Sequence, residues 1–169
     1  GPFGGGGAVG GAGDLGMAGD APSAFVPMRP PGDHAERETP MGFGSFGNVA
    51  IAAKHALDHH GLSRVAIVDF DVHHGNGTQD LVEDDPRILF CSTHQMPLDP
   101  GTGAAHETGV GDVLNCPLSD GAGSKSFRDV MARVVLPRVD AFSPEILIIS
   151  AGFDAHKDEL EIIKPIIKY

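Results

Sequence analysis

The sequence predicts an α/β fold, a three-layer arrangement with a parallel sheet and helices on both faces. Three observations carry this. The strand-like runs, such as Arg64–Phe70 and Glu145–Ala151, are apolar through most of their length rather than alternating, as strands covered on both faces must be. They alternate with stretches that carry a helical apolar face. Ionisable residues then gather directly after strand ends, where open parallel sheets hold their ligands: Asp69, Asp71 and His73 after one strand, Asp154 after another.

In chain order, residues 1–23 are dense in glycine, and each glycine weakens a helix by about 1 kcal/mol relative to alanine. That segment is expected to be disordered or a poorly formed helix, and residues 24–169 to form one partial domain. Ala24–Met28 reads as a short strand, followed by a long loop built on Pro30, Pro31, Gly32 and Pro40. Ser45–His60 reads as a helix with a small-residue face at Val49, Ala52, Ala53 and Ala56, stopped by Gly61. Arg64–Phe70 is a buried strand. Thr78–Asp84 is a short helix entered from Gly75-Asn76-Gly77, with Pro86 marking its end. Ile88–Thr93 and Val113–Pro117 are strands separated by a glycine-rich loop. Ser124–Val139 is a helix capped by Ser124, with Phe127, Val130, Met131, Val134 and Val135 on one face. Glu145–Ala151 is the last strand. The tail to Tyr169, interrupted by Pro165, reads as a broken helix or an edge segment.

The 169 residues suffice for one domain with a sizeable core. A net charge of -11 argues against broad nucleic-acid binding and leaves cationic partners open. Cys91 and Cys116 read as buried thiols in a reducing compartment. No apolar run is long enough to span a membrane, and no basic region followed by an apolar core marks a signal peptide, so the cytoplasm is the expected location.

The chemistry concentrates in Val65–Asp80. If the extended backbone continues past the strand, Asp69, Asp71 and His73 share one face. Three ionisable groups there are costly without a cation. Asp71, His73 and Asp154 can supply the three ligands of a catalytic zinc site that keeps a position for water. The alternative is that these groups cap turns at strand ends, which stays open for Asp154 taken alone. His55, His59 and His60 lie on a helix or at its end and read as solvated. His94 either lines the crevice or packs beneath it, and His106 and His156 take no role. The glycine-rich loop at Gly101, Gly103, Gly109 and Gly111 lacks the Lys-Ser/Thr of a phosphate-binding loop, and no Gly-x-Ser-x-Gly elbow occurs.

Several separate motifs then share one order: RPPGDHAE, PMGFG, DFDVHHGNGTQD, CSTHQ, PGTG and ISAGFDAHKD. In that order and approximate spacing the chain resembles the histone deacetylase superfamily, above all the bacterial class II-like deacetylases and acetylpolyamine amidohydrolases. The resemblance runs from about Ala24 to Asp158 and implies an arginase/deacetylase-like fold, here incomplete. It makes Asp71, His73 and Asp154 zinc ligands, His34 the general base and Asn76 its polarising partner. It places Asp69, Asp71, His73, Ser92 and Thr93 around a monovalent cation, usually potassium. Phe43 becomes one aromatic wall of the acyl-lysine tunnel and Gly42 a backbone contact to the substrate amide.

The departures from the family pattern are as informative. Asp33 replaces the first of two tandem histidines, so it faces the Asp69 carboxylate and a raised pKa or repulsion is expected. Asp99 stands where a second tunnel aromatic belongs. Gly44 and Gly47 replace larger residues and are expected to loosen the pocket floor. The family's downstream strands and its oxyanion-stabilising tyrosine have no counterpart, and Tyr169 lacks that motif's context. The resemblance implies a zinc-dependent amidohydrolase acting on an acetyl-lysine peptide or an acetylpolyamine. The competing expectation is a catalytically impaired metal- or acyl-lysine-binding pseudoenzyme, or a domain fragment that completes itself by pairing into an oligomer.

Overall fold

A computed structural model describes residue 14, residues 17–19 and residues 22–156. The predicted tail with Tyr169, and all but a few residues of the glycine-rich first segment, lie outside the described residues. The elements in order are α1 (Asn48–Asp58), β1 (Val65–Asp69), α2 (Asn76–Val82), β2 (Ile88–Gln95), β3 (Val113–Leu118), α3 (Ser124–Val130), a π-helical turn (Met131–Val135), α4 (Leu136–Phe142) and β4 (Ile146–Ser150). The four strands form one parallel sheet in the order β3-β2-β1-β4. β1 and β2 occupy the middle and are buried along their whole length, which is why their sequences do not alternate.

Each face of the sheet has its own core. Ala50, Ala53, Ala56 and Leu57 of α1 and Val82 of α2 pack on Val65, Ile67, Ile88 and Phe90. Small residues on α1 let the helix approach closely. On the other face Val130, Met131, Val135, Val139 and Phe142 cover Ala66, Val68, Leu89 and Cys91. The three layers expected from the sequence are present.

Four local expectations need correction. Ala24–Met28 forms no strand: it pairs with no strand among the described residues, and Phe25 is exposed. Gly123, not Ser124, occupies the N-cap of α3, and no side chain caps that end. The expected single helix over 124–139 is broken by a π turn and continues to Phe142. Pro137 lies at the start of α4 and has no N–H to give to the preceding turn; the π turn just before it absorbs that lost hydrogen bond. Finally, Gly44 and Gly47 leave no gaps. A Cβ on Gly44 would lie 2.9 Å from the Gly32 Cα, and one on Gly47 would overlap the Leu81 side chain.

β4 borders the sheet among the described residues. Leu147 and Ile149 pair in register with Ala66 and Val68 yet are 47% and 56% exposed, because α3 and α4 sit over β1 and β2 and do not reach them.

Candidate metal centre

β1 stops at Asp69, and the chain turns there instead of staying extended. The turn is built by the carboxylates themselves. Asp69 Oδ1 accepts the Asp71 N–H at 3.0 Å, and Asp71 Oδ1 accepts the His73 N–H at 2.8 Å. Asp154, beyond β4, accepts the Val72 N–H at 3.1 Å. Parallel pairing of β4 with β1 aligns Ser150 with Asp69, so the segments following both strands emerge side by side. The same carboxylates thus cap turns and converge, so the two sequence readings of Asp154 hold together.

The convergence involves Asp71, His73 and Asp154, whose ligand atoms all lie within 4.8 Å of one another. His73 Nδ1 stands 3.1 Å from Asp71 Oδ1 and 3.0 Å from Asp154 Oδ2. The hydrogen bond to Asp154, then that to Asp71, pushes the imidazole up to about 10. Burial works against Asp154 ionising, but the His73 and Val72 donors outweigh it and hold the carboxyl below its usual range. Two carboxylates around one ring are a donor set suited to a divalent cation. Gly152 lines the cluster, and a Cβ there would overlap the Asp71 carboxylate.

Asp69 does not join this group, contrary to the shared-face expectation, because the chain bends right after it. It is fully buried, and its Oδ2 has no hydrogen-bond partner. Burial first, then the charges of Asp33 and Asp71, push its carboxyl well above the usual range. Asp33, 4% exposed, is likewise raised, chiefly by burial. The charge of Asp33 is thus one of the two that raise Asp69, the direction expected when a carboxylate stands at position 33. Thr93 Oγ1 reaches the Asp69 carbonyl at 3.4 Å, while the Ser92 hydroxyl bonds His94 Nδ1 at 2.9 Å.

His34 Nδ1 lies 2.8 Å from Asn76 Oδ1 at the first residue of α2. An amide oxygen only accepts, so Nδ1 carries a proton, and in the neutral ring Nε2 then holds the lone pair. Nε2 is 3.7 Å from Asp33 Oδ2, and the ring meets His73 edge-on at 6.1 Å between centroids. Asn76 Nδ2 donates to Glu36 Oε1 at 2.6 Å, so Glu36 anchors the pair from the other side. Sequence reasoning missed Glu36, although it lies in the same loop motif as His34. Gly42 and Phe43 both have left-handed backbones, and Gly44 N–H closes the turn on Met41 O at 3.0 Å. A Cβ on Gly42 would come within 2.6 Å of His34, so only glycine lets this turn lie against the ring. Phe43 is fully exposed at its tip. Asp99 is exposed in the loop after β2, with no hydrogen bond or ion pair among the described residues. His94 is buried beneath the site against His74, at 4.7 Å between ring centroids.

Residues 4–163 match the family profile described as the histone deacetylase domain. The chain belongs to the histone deacetylase family. Among curated relatives of this family, it is 50% identical over 139 residues to Histone deacetylase 10, chloroplastic, from Oryza sativa subsp. japonica, covering 80% of this chain and 31% of that one. Among solved structures, the HDA15 HD domain superposes with a TM-score of 0.87 at 41% identity, covering 91% of this chain and 47% of that one. An acetylpolyamine aminohydrolase from Burkholderia pseudomallei superposes at 0.85 with 31% identity, covering 91% of this chain and 46% of that one. The chain therefore spans about a third to a half of the deacetylase-family proteins it matches, and the sheet described above is the corresponding part of their fold.

Proposed function

We propose that the chain carries the metal-binding and base-bearing part of a zinc-dependent amidohydrolase that removes acetyl groups from acetyl-lysine or acetylpolyamine. The observation that carries this is the meeting of Asp71, His73 and Asp154 beside a histidine whose tautomer is fixed by Asn76. Asp71, His73 and Asp154 would hold the zinc. When bound, that ion supplies a Lewis acid for the amide carbonyl and acidifies water. His34 receives a water proton at Nε2, while its Nδ1–H stays on Asn76 Oδ1, and Asn76 is itself fixed by Glu36. Phe43, on its exposed turn beside His34, offers a face for an aliphatic substrate arm, and the Gly42 backbone a contact for the amide. A monovalent cation, by family resemblance potassium, belongs to the same reading, with Asp69, Thr93 and the Ser92 backbone behind the zinc ligands.

A second reading, a pseudoenzyme or partial domain that binds metal or acyl-lysine without turnover, is favoured by Asp33. By family resemblance a histidine belongs at position 33, and Asp33 is instead a buried carboxyl whose charge raises Asp69, while Asp69 Oδ2 has no hydrogen-bond partner. Zinc content and hydrolysis of a fluorogenic acetyl-lysine peptide, measured on the same preparation, separate the two. The enzyme reading expects one equivalent of zinc to be lost on Asp154→Ala, activity that falls on the order of 100-fold in His34→Ala, and a gain in Asp33→His. Zinc bound through Asp154 with no turnover in either form supports the second reading. Zinc content unaffected by Asp154→Ala would refute both.

A further inference from the structure

A second group of ligating side chains lies at the C-terminal end of α1. That end leads into the start of β1, so it occupies the opposite edge of the sheet from Asp71, His73 and Asp154. His55 and His59 are one helical turn apart, and His60 follows. Their rings gather closely: His55 stacks on His59 at 4.7 Å between centroids, and His60 meets them edge-on at 5.2 and 5.0 Å. Asp14, from the first segment of the chain, places a single oxygen, Oδ1, 2.9 Å from His55 Nε2 and 2.7 Å from His60 Nε2.

We propose that Asp14, His55, His59 and His60 form a second metal site, selective for a divalent first-row transition ion that favours imidazole. One ligand atom from each of the four lies within 4.8 Å of all the others. Four-coordinate zinc at about 2.0–2.1 Å from each donor needs donor separations of about 3.3 Å, within reach of small side-chain rotations. Three imidazoles and one carboxylate are the donor types that zinc, cobalt and nickel prefer, and they are poor ligands for calcium or magnesium.

The surroundings favour a cation. The last turn of α1 presents the negative end of the helix dipole. The His59 imidazole makes no hydrogen bond among the described residues and has a lone pair to give. In the metal-free state two ring N–H groups share Asp14 Oδ1; an ion replaces those bridges as each ring shifts its proton from Nε2 to Nδ1, with no net proton change for neutral rings. Access is direct, through an open groove lined by Ile51, Lys54, His55, Asp58 and His59.

The experiment is a Co2+ titration of the tag-free full chain, followed by the visible absorption of the bound ion and by Zn2+ competition. The Asp154→Ala form silences the other cluster, so the outcome stands whether or not the deacetylase reading holds. The expected result is one equivalent of Co2+ bound in Asp154→Ala, displaced by Zn2+. Affinity should fall at least tenfold on adding His55→Gln with His59→Gln, and several-fold on adding Asp14→Asn. Absence of binding in Asp154→Ala with metal in the tens of micromolar overturns the proposal, as does binding that the histidine replacements leave unchanged. Should circular dichroism show the histidine form unfolded, Asp14→Asn decides, since it lies outside the cores: unchanged affinity there overturns the proposal.

Discussion

His74 should contribute to acid sensitivity, and the effect can be sized. His74 is 2% exposed, packed against His94 and Phe90. Its Nε2 lies 3.0 Å from Gln79 Oε1, an acceptor, and its Nδ1 lies 2.7 Å from Thr102 Oγ1. That arrangement suits a neutral ring that donates from Nε2 and accepts at Nδ1. Burial, with a smaller push from His94, lowers the ring to about 4 from an ordinary 6.5. A histidine whose folded pKa is depressed is protonated first in the unfolded chain. Its contribution is therefore complete above pH 6.5 and is lost as pH falls toward 4. A shift of this size corresponds to about 3 kcal/mol in all, of which about 2.5 kcal/mol should be gone by pH 4.5. The buried carboxyls Asp33 and Asp69 titrate with the opposite sign, so the wild-type curve alone does not isolate the ring. Urea unfolding of wild type and His74→Gln at pH 7.5 and 4.5 does. Their stability difference should narrow by about 2 kcal/mol at the lower pH. An equal difference at both values would refute the assignment of a neutral buried ring.

Two further substitutions probe the site. Gly152→Ala drives a methyl group into the Asp71 carboxylate, and chelator competition should show zinc bound at least tenfold more weakly while far-UV circular dichroism stays the same. Asp33→Asn removes a buried carboxyl. A raised folded pKa means the charge costs stability at high pH, so this form should melt higher than wild type at pH 8, with the gap closing as pH falls toward 4.

Much of this was legible in the sequence because burial on two faces leaves a plain trace. β1 and β4 lie within one or two residues of their expected bounds, since continuous apolar runs admit few other structures. Asp71, His73 and Asp154 were readable because ionisable groups after parallel strands have one common meeting place. Asp69 was misjudged: side-chain alternation holds only while the backbone stays extended, and Asp69 itself accepts the Asp71 N–H that bends the chain. The helix break before Pro137 follows from a missing donor, a signal present but unused. Glu36 and the histidines of α1 depend on partners 40 and more residues away, Asn76 and Asp14, which no local pattern reports.

The open border of the sheet has a consequence for the metal centre. Asp71 and His73 follow β1, gripped by strands on both sides, whereas Asp154 follows β4, which has one strand neighbour among the described residues and two exposed aliphatic side chains. The ligand set thus joins the best-held strand to the least-held one. A cation shared among the three residues would act as a rivet: free energy of binding becomes free energy of docking β4, by RT ln(1 + [L]/Kd). Hydrogen exchange in Ile146–Ser150 should therefore report metal occupancy more sensitively than exchange in β1, which is buried and paired on both sides.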